Sequence, residues 1–592
     1  MPRRPRFGWV TTPVLALLLS ACGAPQDVSP DNSAVEPANE ALVEEYLDRY
    51  FETFPTRATA AGGHEFNDRL EDLGPEQRRA WREFNERTIE RILPALIGSG
   101  LDVELVRDLE LLRRQAERQV HDYATLKRPR RDPLYWTGIL GNATVFLLVR
   151  DDAPIGERLE NARLRAAAIP RLVEQAKDAL DGFERAMAAE HCELAARQAR
   201  GTAMFYRGGF SKAAGGDEAL AAGLAEAGGL AADALEDLSM FLDGMCESAS
   251  GSPRLGPHYA GRFRLFTGLD EPVELILDRA EAALVLKRRE TADYGRSIWN
   301  GVFPGENPPG DDRALVDRLF QRIGADGAES IKEYVADFKQ LIDASVEFVR
   351  ERDLVTLPEP LTLFTDRSPS YFVGASVGGV YPAGPYAPAD AKTLLFVPTP
   401  PDSASDEARA AFFRDFNHHF NVMIVPHEVI PGHYLQLKFA ARHPRKVRAL
   451  FGDGVYIEGW GTFSERLMLD EGWGTPLARV AHLKKQLENI ARTIVDIRVH
   501  TQEMSRDEVL AFVQDEALQD AQFASNMWRR AITSSPQLTS YYLGYAQVQG
   551  LYDDVRVARG DAFRIKDFMD GMMEMGPVPV RYYRAKMLGP GS

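Results

Sequence analysis

Positive charge is what this sequence is short of. Its 592 residues carry 70 Lys and Arg against 87 Asp and Glu, a formal net charge of −17. A balance of that sign argues against nucleic acid as a partner. Long apolar runs are also missing: the stretch from Val10 to Leu19 falls short of the roughly 20 residues a membrane-spanning helix needs. No period of about 34 or 40 residues recurs, so a solenoid is not indicated. No heptad persists through the alanine-rich stretch from Ser211 to Leu235, which removes a coiled coil. Cysteine is scarce, with Cys22, Cys192 and Cys246 the only three.

The N-terminus carries an address. Arg3, Arg4 and Arg6 precede the short apolar run, and the small residues Ser20 and Ala21 follow it. That is the layout of a secretory signal, residues 1–21. Leu19-Ser20-Ala21-Cys22 resembles the bacterial lipobox, in which the cysteine becomes the lipidated first residue. Cys22 is therefore the expected lipidation site and the membrane contact. Removing residues 1–21 strips three arginines and no acid, which takes the net charge from −17 to −20. The expected location is the bacterial cell envelope, facing the periplasm or the exterior, and Gly23 after the cysteine favours the outer membrane. In an oxidising compartment Cys192 and Cys246 could pair; equally, each could pack as a small buried hydrophobe.

Apolar content of 45% and charged content of 27% allow a sizeable core. Residues 22–38 are rich in Pro, Ser, Asn and Asp and read as a flexible tether. From Asn39, apolar residues recur at three- and four-residue steps: Leu42, Val43, Tyr46, Leu47, Tyr50 and Phe51. Helical segments are expected from Pro75 to about Ile97, over 102–126, over 155–250 with a break at Pro170, and over 271–296 and 310–353. The texture changes near residue 356. Residues 361–400 carry Tyr371-Phe372-Val373-Gly374, Gly378-Gly379-Val380-Tyr381 and Leu394-Leu395-Phe396-Val397, which predict two to four short strands or loops. The stretch from Tyr371 to Tyr386 offers either a strand edge for a peptide backbone or an ordinary packed loop. Helix returns at Asp406 and dominates to the end. The chain divides into 39–355 and 356–592, expected to form one structural unit: mostly α, with a deep cleft and a small β-element.

The chemistry centres on Pro426-His427-Glu428-Val429-Ile430-Pro431-Gly432-His433-Tyr434. Two imidazoles with a carboxylate beside the first are the materials of a zinc hydrolase. Zinc-binding helices place two histidines at i and i+4. Here the second stands at i+6, which on an ideal helix points about 120° away. Pro431 lacks an N–H and clashes with the carbonyl of His427, and Gly432 adopts dihedrals other residues avoid. A break at Ile430–Gly432 would swing His433 back toward His427. Glu458, 25 residues further on, is the best third ligand. Glu465 lies seven residues beyond it on the same helical face and could orient a ligating histidine, although both are ordinary solvated charges on the bland reading. Glu428 is the expected general base, taking a proton from the attacking water and handing it to the leaving amine, while zinc lowers that water's pKa to about 7. His418 and His419 read as structural. His64, His121, His191, His258, His443 and His482 show no ligand spacing with one another.

His-Glu-x-x-Pro-Gly-His followed by Glu-Gly-Trp resembles the bacterial domain of unknown function 885 family, secreted or lipid-anchored proteins similar to helical gluzincin metallopeptidases. The resemblance runs from Tyr46-Leu47 and Pro55-Thr56-Arg57-Ala58-Thr59 to Gly571–Pro579. It includes Asp496-Ile497-Arg498-Val499-His500 and Gln537-Leu538-Thr539-Ser540-Tyr541-Tyr542-Leu543-Gly544. It implies His427, His433 and Glu458 as ligands, Glu428 as base, and His500 and Tyr541 near the substrate. Imidazolium and phenol are both suitable oxyanion donors. Arg498 could bind a peptide carboxylate, and Asp496 could orient His500. Two positions depart from the family: Tyr434 stands where relatives often have a histidine, and Ser535-Pro536-Gln537 replaces the usual Pro-Gly-Gln.

The expectation is thus a zinc-dependent hydrolase cutting small peptides. The alternatives are an envelope binding or structural protein with a vestigial or structural metal site, and a hydrolase of non-peptide amides or esters.

Overall fold

The computed structural model describes residues 35–98, 100–367 and 379–589. The signal segment, Cys22 and most of the tether lie outside these residues, as does the Tyr371–Gly374 stretch.

The core is built around two helices that are buried on most of their faces. Gly454–Asp470 and Pro476–Thr501 bury Val455, Tyr456, Trp460, Phe463, Leu467, Leu487, Ile490, Ile494 and Ile497 among others. They also bury polar side chains such as Glu465, His482 and Asp496, each of which has a hydrogen-bond partner. One cluster of buried side chains joins Leu111, Tyr334, Phe338 and Val349 to Val425, Trp460, Val548 and Phe568, so the packing crosses residue 355 without a seam. A second cluster lies among Ile155–Leu180, Ala189–Gly208 and Glu218–Cys246, whose contacts are mostly alanine and leucine. Small side chains allow these helices to approach closely. A disulfide between Cys192 and Cys246 (Cα–Cα 5.6 Å) ties the last two together.

The helix starts are written locally. Asp102, Asp217, Asp311, Ser330, Ser405, Asn417, Asp453 and Thr475 each accept a hydrogen bond from a free first-turn N–H. Two sequence expectations need correction. Pro170 does not break its helix, which runs unbroken from Ile155 to Leu180. A proline inside a helix costs about 3 kcal/mol, and the buried stripe of Ala162, Ala166, Ile169, Val173, Ala176 and Leu180 offsets it. The segment expected at 310–353 is two helices, Asp312–Gly324 and Ile331–Glu351, because Ser330 caps a new start.

The β-element is a three-stranded sheet: β1 (Leu363–Arg367), β2 (Gly379–Tyr381) and β3 (Thr393–Val397), in the order β1-β3-β2. β3 pairs parallel with β1 and antiparallel with β2, and is buried along its whole length, as a central strand should be. Among the described residues no helix is long and apolar enough to cross a membrane.

Candidate metal centre

The break after Glu428 has a steric cause. His418–Glu428 is a helix, the Ile430–Pro431 peptide is cis, and the next helix starts at His433. A Cβ at Gly432 would lie 1.9 Å from the His427 carbonyl oxygen, so only glycine fits this fold-back. Trp460 pins the turn by donating its indole N–H to the Pro431 carbonyl at 2.8 Å. The two imidazoles consequently meet, with ring centres 4.6 Å apart and planes at 82°.

Glu458 completes the group from the Gly454–Asp470 helix. Its Oε2 is 3.7 Å from His427 Nε2 and 3.6 Å from His433 Nε2. One ligand atom from each of the three residues lies within 4.8 Å of the others. Behind His427, Glu465 is fully buried and accepts from Nδ1 at 2.7 Å. This bond keeps a proton on Nδ1 and leaves Nε2 as the nitrogen that faces Glu458. The other Glu465 oxygen is 2.9 Å from Nδ1 of His482. His482 is a member of the site that sequence reasoning missed.

The electrostatics ask for a cation. Burial works against a charged His427, but Glu458 and Glu465 outweigh it and push its pKa up to about 10. Burial likewise opposes ionised Glu458 and Glu465, yet the facing imidazoles hold both carboxyls below their usual range. Among the described residues, no Lys or Arg is ion-paired with either carboxylate. The donor set fits a divalent metal. Tetrahedral ligands about 2.0 Å from zinc stand about 3.3 Å apart, close to the separations here. His427, His433 and Glu458 would hold it.

Glu428 ends the first helix beside His427, is half-buried, and adds to the negative field on that ring. Tyr434 is not among the converging groups. Its ring is buried in the apolar core with the Lys438 ammonium 5.9 Å from its centre.

Tyr541 reaches the cluster through Gln537. The Gln537 amide donates to Glu458 Oε1 at 3.2 Å and to the Tyr541 oxygen at 3.1 Å. Arg530 donates to both Gln537 and Tyr541, the latter at 3.3 Å.

The other three expected residues are engaged elsewhere. His500 accepts from the Leu255 N–H at 3.0 Å and donates to the Ala531 carbonyl at 3.0 Å. Burial pushes its pKa down to about 4, so the ring is neutral with both nitrogens occupied. Asp496 does not orient it, instead accepting from Tyr259 and Ser535 at 2.8 Å each. Arg498 is bound to Glu281, with its nearest nitrogen at 2.7 Å. Geometry gives the reason. His482, at the cluster, and these residues share the Pro476–Thr501 helix, and 18 residues of helix put His500 about 27 Å along the axis from His482.

The profile of the family described as "Bacterial protein of unknown function (DUF885)" matches residues 55–587. No curated protein matches. A candidate lipoprotein of unknown function from Shewanella oneidensis is 25% identical with a TM-score of 0.75, over 93% of this chain and 99% of that one. A candidate lipoprotein from Colwellia psychrerythraea is 13% identical at TM-score 0.75, over 93% and 98%. An M32 carboxypeptidase from Deinococcus radiodurans R1 gives a TM-score of 0.38 at 12% identity, over 93% and 95%.

Proposed function

The chain belongs to this bacterial family of unknown function, and from its site we propose that it is a zinc-dependent hydrolase, a peptidase acting on small peptides. One observation carries the reading: two imidazole Nε2 atoms converge on one carboxylate oxygen, with a buried carboxylate behind the first ring. A zinc ion there would act as a Lewis acid and lower the pKa of a coordinated water to about 7.

The remaining work falls to side chains. Glu465 fixes the His427 tautomer. Glu428, adjoining that ring, accepts the proton of the attacking water and returns it to the departing amine. The Tyr541 oxygen accepts hydrogen bonds from Gln537 and Arg530, so its own proton is free to donate to the oxyanion. His500 has no free nitrogen for that task. Cys22, in its lipobox-like setting, would anchor the protein to the cell envelope, in keeping with the lipoprotein descriptions of the two similar structures.

The deciding experiment combines metal analysis with peptide turnover. The purified protein should take up about one zinc per chain, and Glu428→Gln should keep the metal and lose turnover. Less than about half an equivalent after zinc addition would defeat the reading.

A further inference from the structure

Burial opposes the charge of the mostly buried Arg530 guanidinium, and Tyr541 beside it with the more distant Glu458 and Glu488 outweigh that burial. Arg530 hydrogen-bonds the uncharged Gln537 and Tyr541 side chains, and among the described residues no carboxylate is ion-paired with it. Its neighbour across the Tyr541 ring differs. Arg492 stacks on that ring at 4.5 Å, but Glu488 neutralises it at 2.5 Å and holds Lys485 at 3.0 Å as well. Glu488 is thus shared by two cations, Arg492 and Lys485, and Arg530 is left without a direct ion pair among the described residues. A carboxylate in direct contact would add a charge-assisted pair that the neutral Gln537 and Tyr541 side chains do not supply. A guanidinium fork of which these two bonds use one nitrogen suits a carboxylate.

Its position relative to the metal ligands sets what that carboxylate belongs to. A single amide, that of Gln537, lies between the guanidinium and Glu458, touching Arg530 on one side and Glu458 at 3.2 Å on the other. One residue of peptide spans about 3.5 Å, and a guanidinium–carboxylate hydrogen bond adds about 2.8 Å. A peptide carbonyl at the ligand cluster therefore brings the carboxylate of the very next residue to Arg530.

We propose that Arg530, with Gln537 and Tyr541, binds the free C-terminal carboxylate of the substrate, so that the site removes one residue at a time from the C-terminal end. The inference rests on the hydrolase reading and specifies its substrate: peptides, or N-acylated amino acids, ending in a free carboxylate. The bond cut is the last amide. The water oxygen joins the carbonyl carbon, the C–N bond breaks, and the departing nitrogen takes the proton, releasing a free amino acid and the shortened acid.

The test compares a short-peptide library in free-acid and C-terminally amidated forms on the zinc-loaded protein. Free acids should be cleaved about a hundredfold better in kcat/KM, and Arg530→Gln should erase the preference mainly through KM. Equal cleavage of acids and amides, or a preference that survives in R530Q, overturns the subsite while leaving the hydrolase reading intact. If neither form is cleaved, the hydrolase reading fails, and binding decides the subsite separately. N-acetylalanine should raise the melting temperature of the zinc-loaded Glu428→Gln protein, N-acetylalaninamide should not, and adding R530Q should abolish the difference. No stabilisation by the acid overturns the proposal. Should R530Q fail to fold, Arg530→Lys, which keeps the charge but loses the fork, should still lower the acid preference about tenfold; an unchanged preference would overturn it.

Discussion

A methyl group on Gly461 would lie 2.9 Å from the His427 ring. The ring of a proposed ligand thus rests on bare backbone of the Gly454–Asp470 helix, one turn from Glu458. Gly461→Ala should push the imidazole off this seat and lower zinc affinity at least tenfold, with helical content preserved by circular dichroism. Competition against a chelator of known affinity measures the change. Wild-type affinity in G461A would mean that the ring position does not matter for the metal.

Glu465→Gln keeps the shape of the side chain and removes its charge. His427 Nδ1 then loses an anionic acceptor at 2.7 Å, and His482 loses one at 2.9 Å. Changes to such supporting carboxylates cost about ten- to a hundredfold in metal affinity, and that range is the expectation here. His482→Gln should cost less, since it acts on the ligand through Glu465. The two affinities, taken with the double variant, test that order.

The convergence of His427, His433 and Glu458 was legible in the sequence because its logic is local. Pro431 and Gly432 dictate the fold-back that joins His427 to His433, and Glu458 with Glu465 share a helical face. His482, Gln537 and Arg530 were not legible as a site. They come from three separate helices, and only the crossing of those helices brings them to Glu458. The residues chosen in their place show the same limit. His500 carries the right chemistry, but five helical turns separate it from His482. The break expected at Pro170 failed because packing of an alanine-rich face outweighed a local preference.

Zinc uptake should release protons in the neutral range. In the metal-free protein the His427 pKa is raised from 6.5 to about 10. That pairing contributes its full stability below pH 6.5 and loses it as pH climbs through about 10. The lowered Glu458 pKa acts at the other end: its contribution is present above pH 4.5 and lost as pH falls toward its depressed value. A zinc ion held by His427 would take the place of its proton. The rise in melting temperature caused by zinc should therefore grow from pH 6.5 upward, and calorimetry at pH 7.5 in two buffers of different ionisation enthalpy should report about one proton released. Zero release would show that His427 binds no proton in the metal-free state.

The disulfide lies in a different cluster of the core. It closes a sequence separation of 54 residues between the helices of Cys192 and Cys246. Replacing both cysteines with alanine should lower stability by about 2–4 kcal/mol in urea denaturation. Zinc affinity should not change, because neither helix supplies a ligand.

The helix crossing at Gly459 and Gly544 should behave in the opposite way. A Cβ on Gly544 would fall 2.0 Å from the Val455 carbonyl oxygen and 2.7 Å from Gly459 Cα. Both obstacles are backbone, so no side-chain rotation relieves them and the two helices must part. Gly459 follows Glu458 directly, and Gly544 lies one turn beyond Tyr541, so parting the helices also pulls on the Glu458–Gln537 hydrogen bond of 3.2 Å. Gly544→Ala should therefore cost about 1–3 kcal/mol of stability and, unlike the cysteine pair, weaken zinc binding at least tenfold. Denaturation and chelator competition on both variants separate the two effects. A G544A protein that is destabilised yet binds zinc normally would show that this crossing holds the fold without setting the position of Glu458.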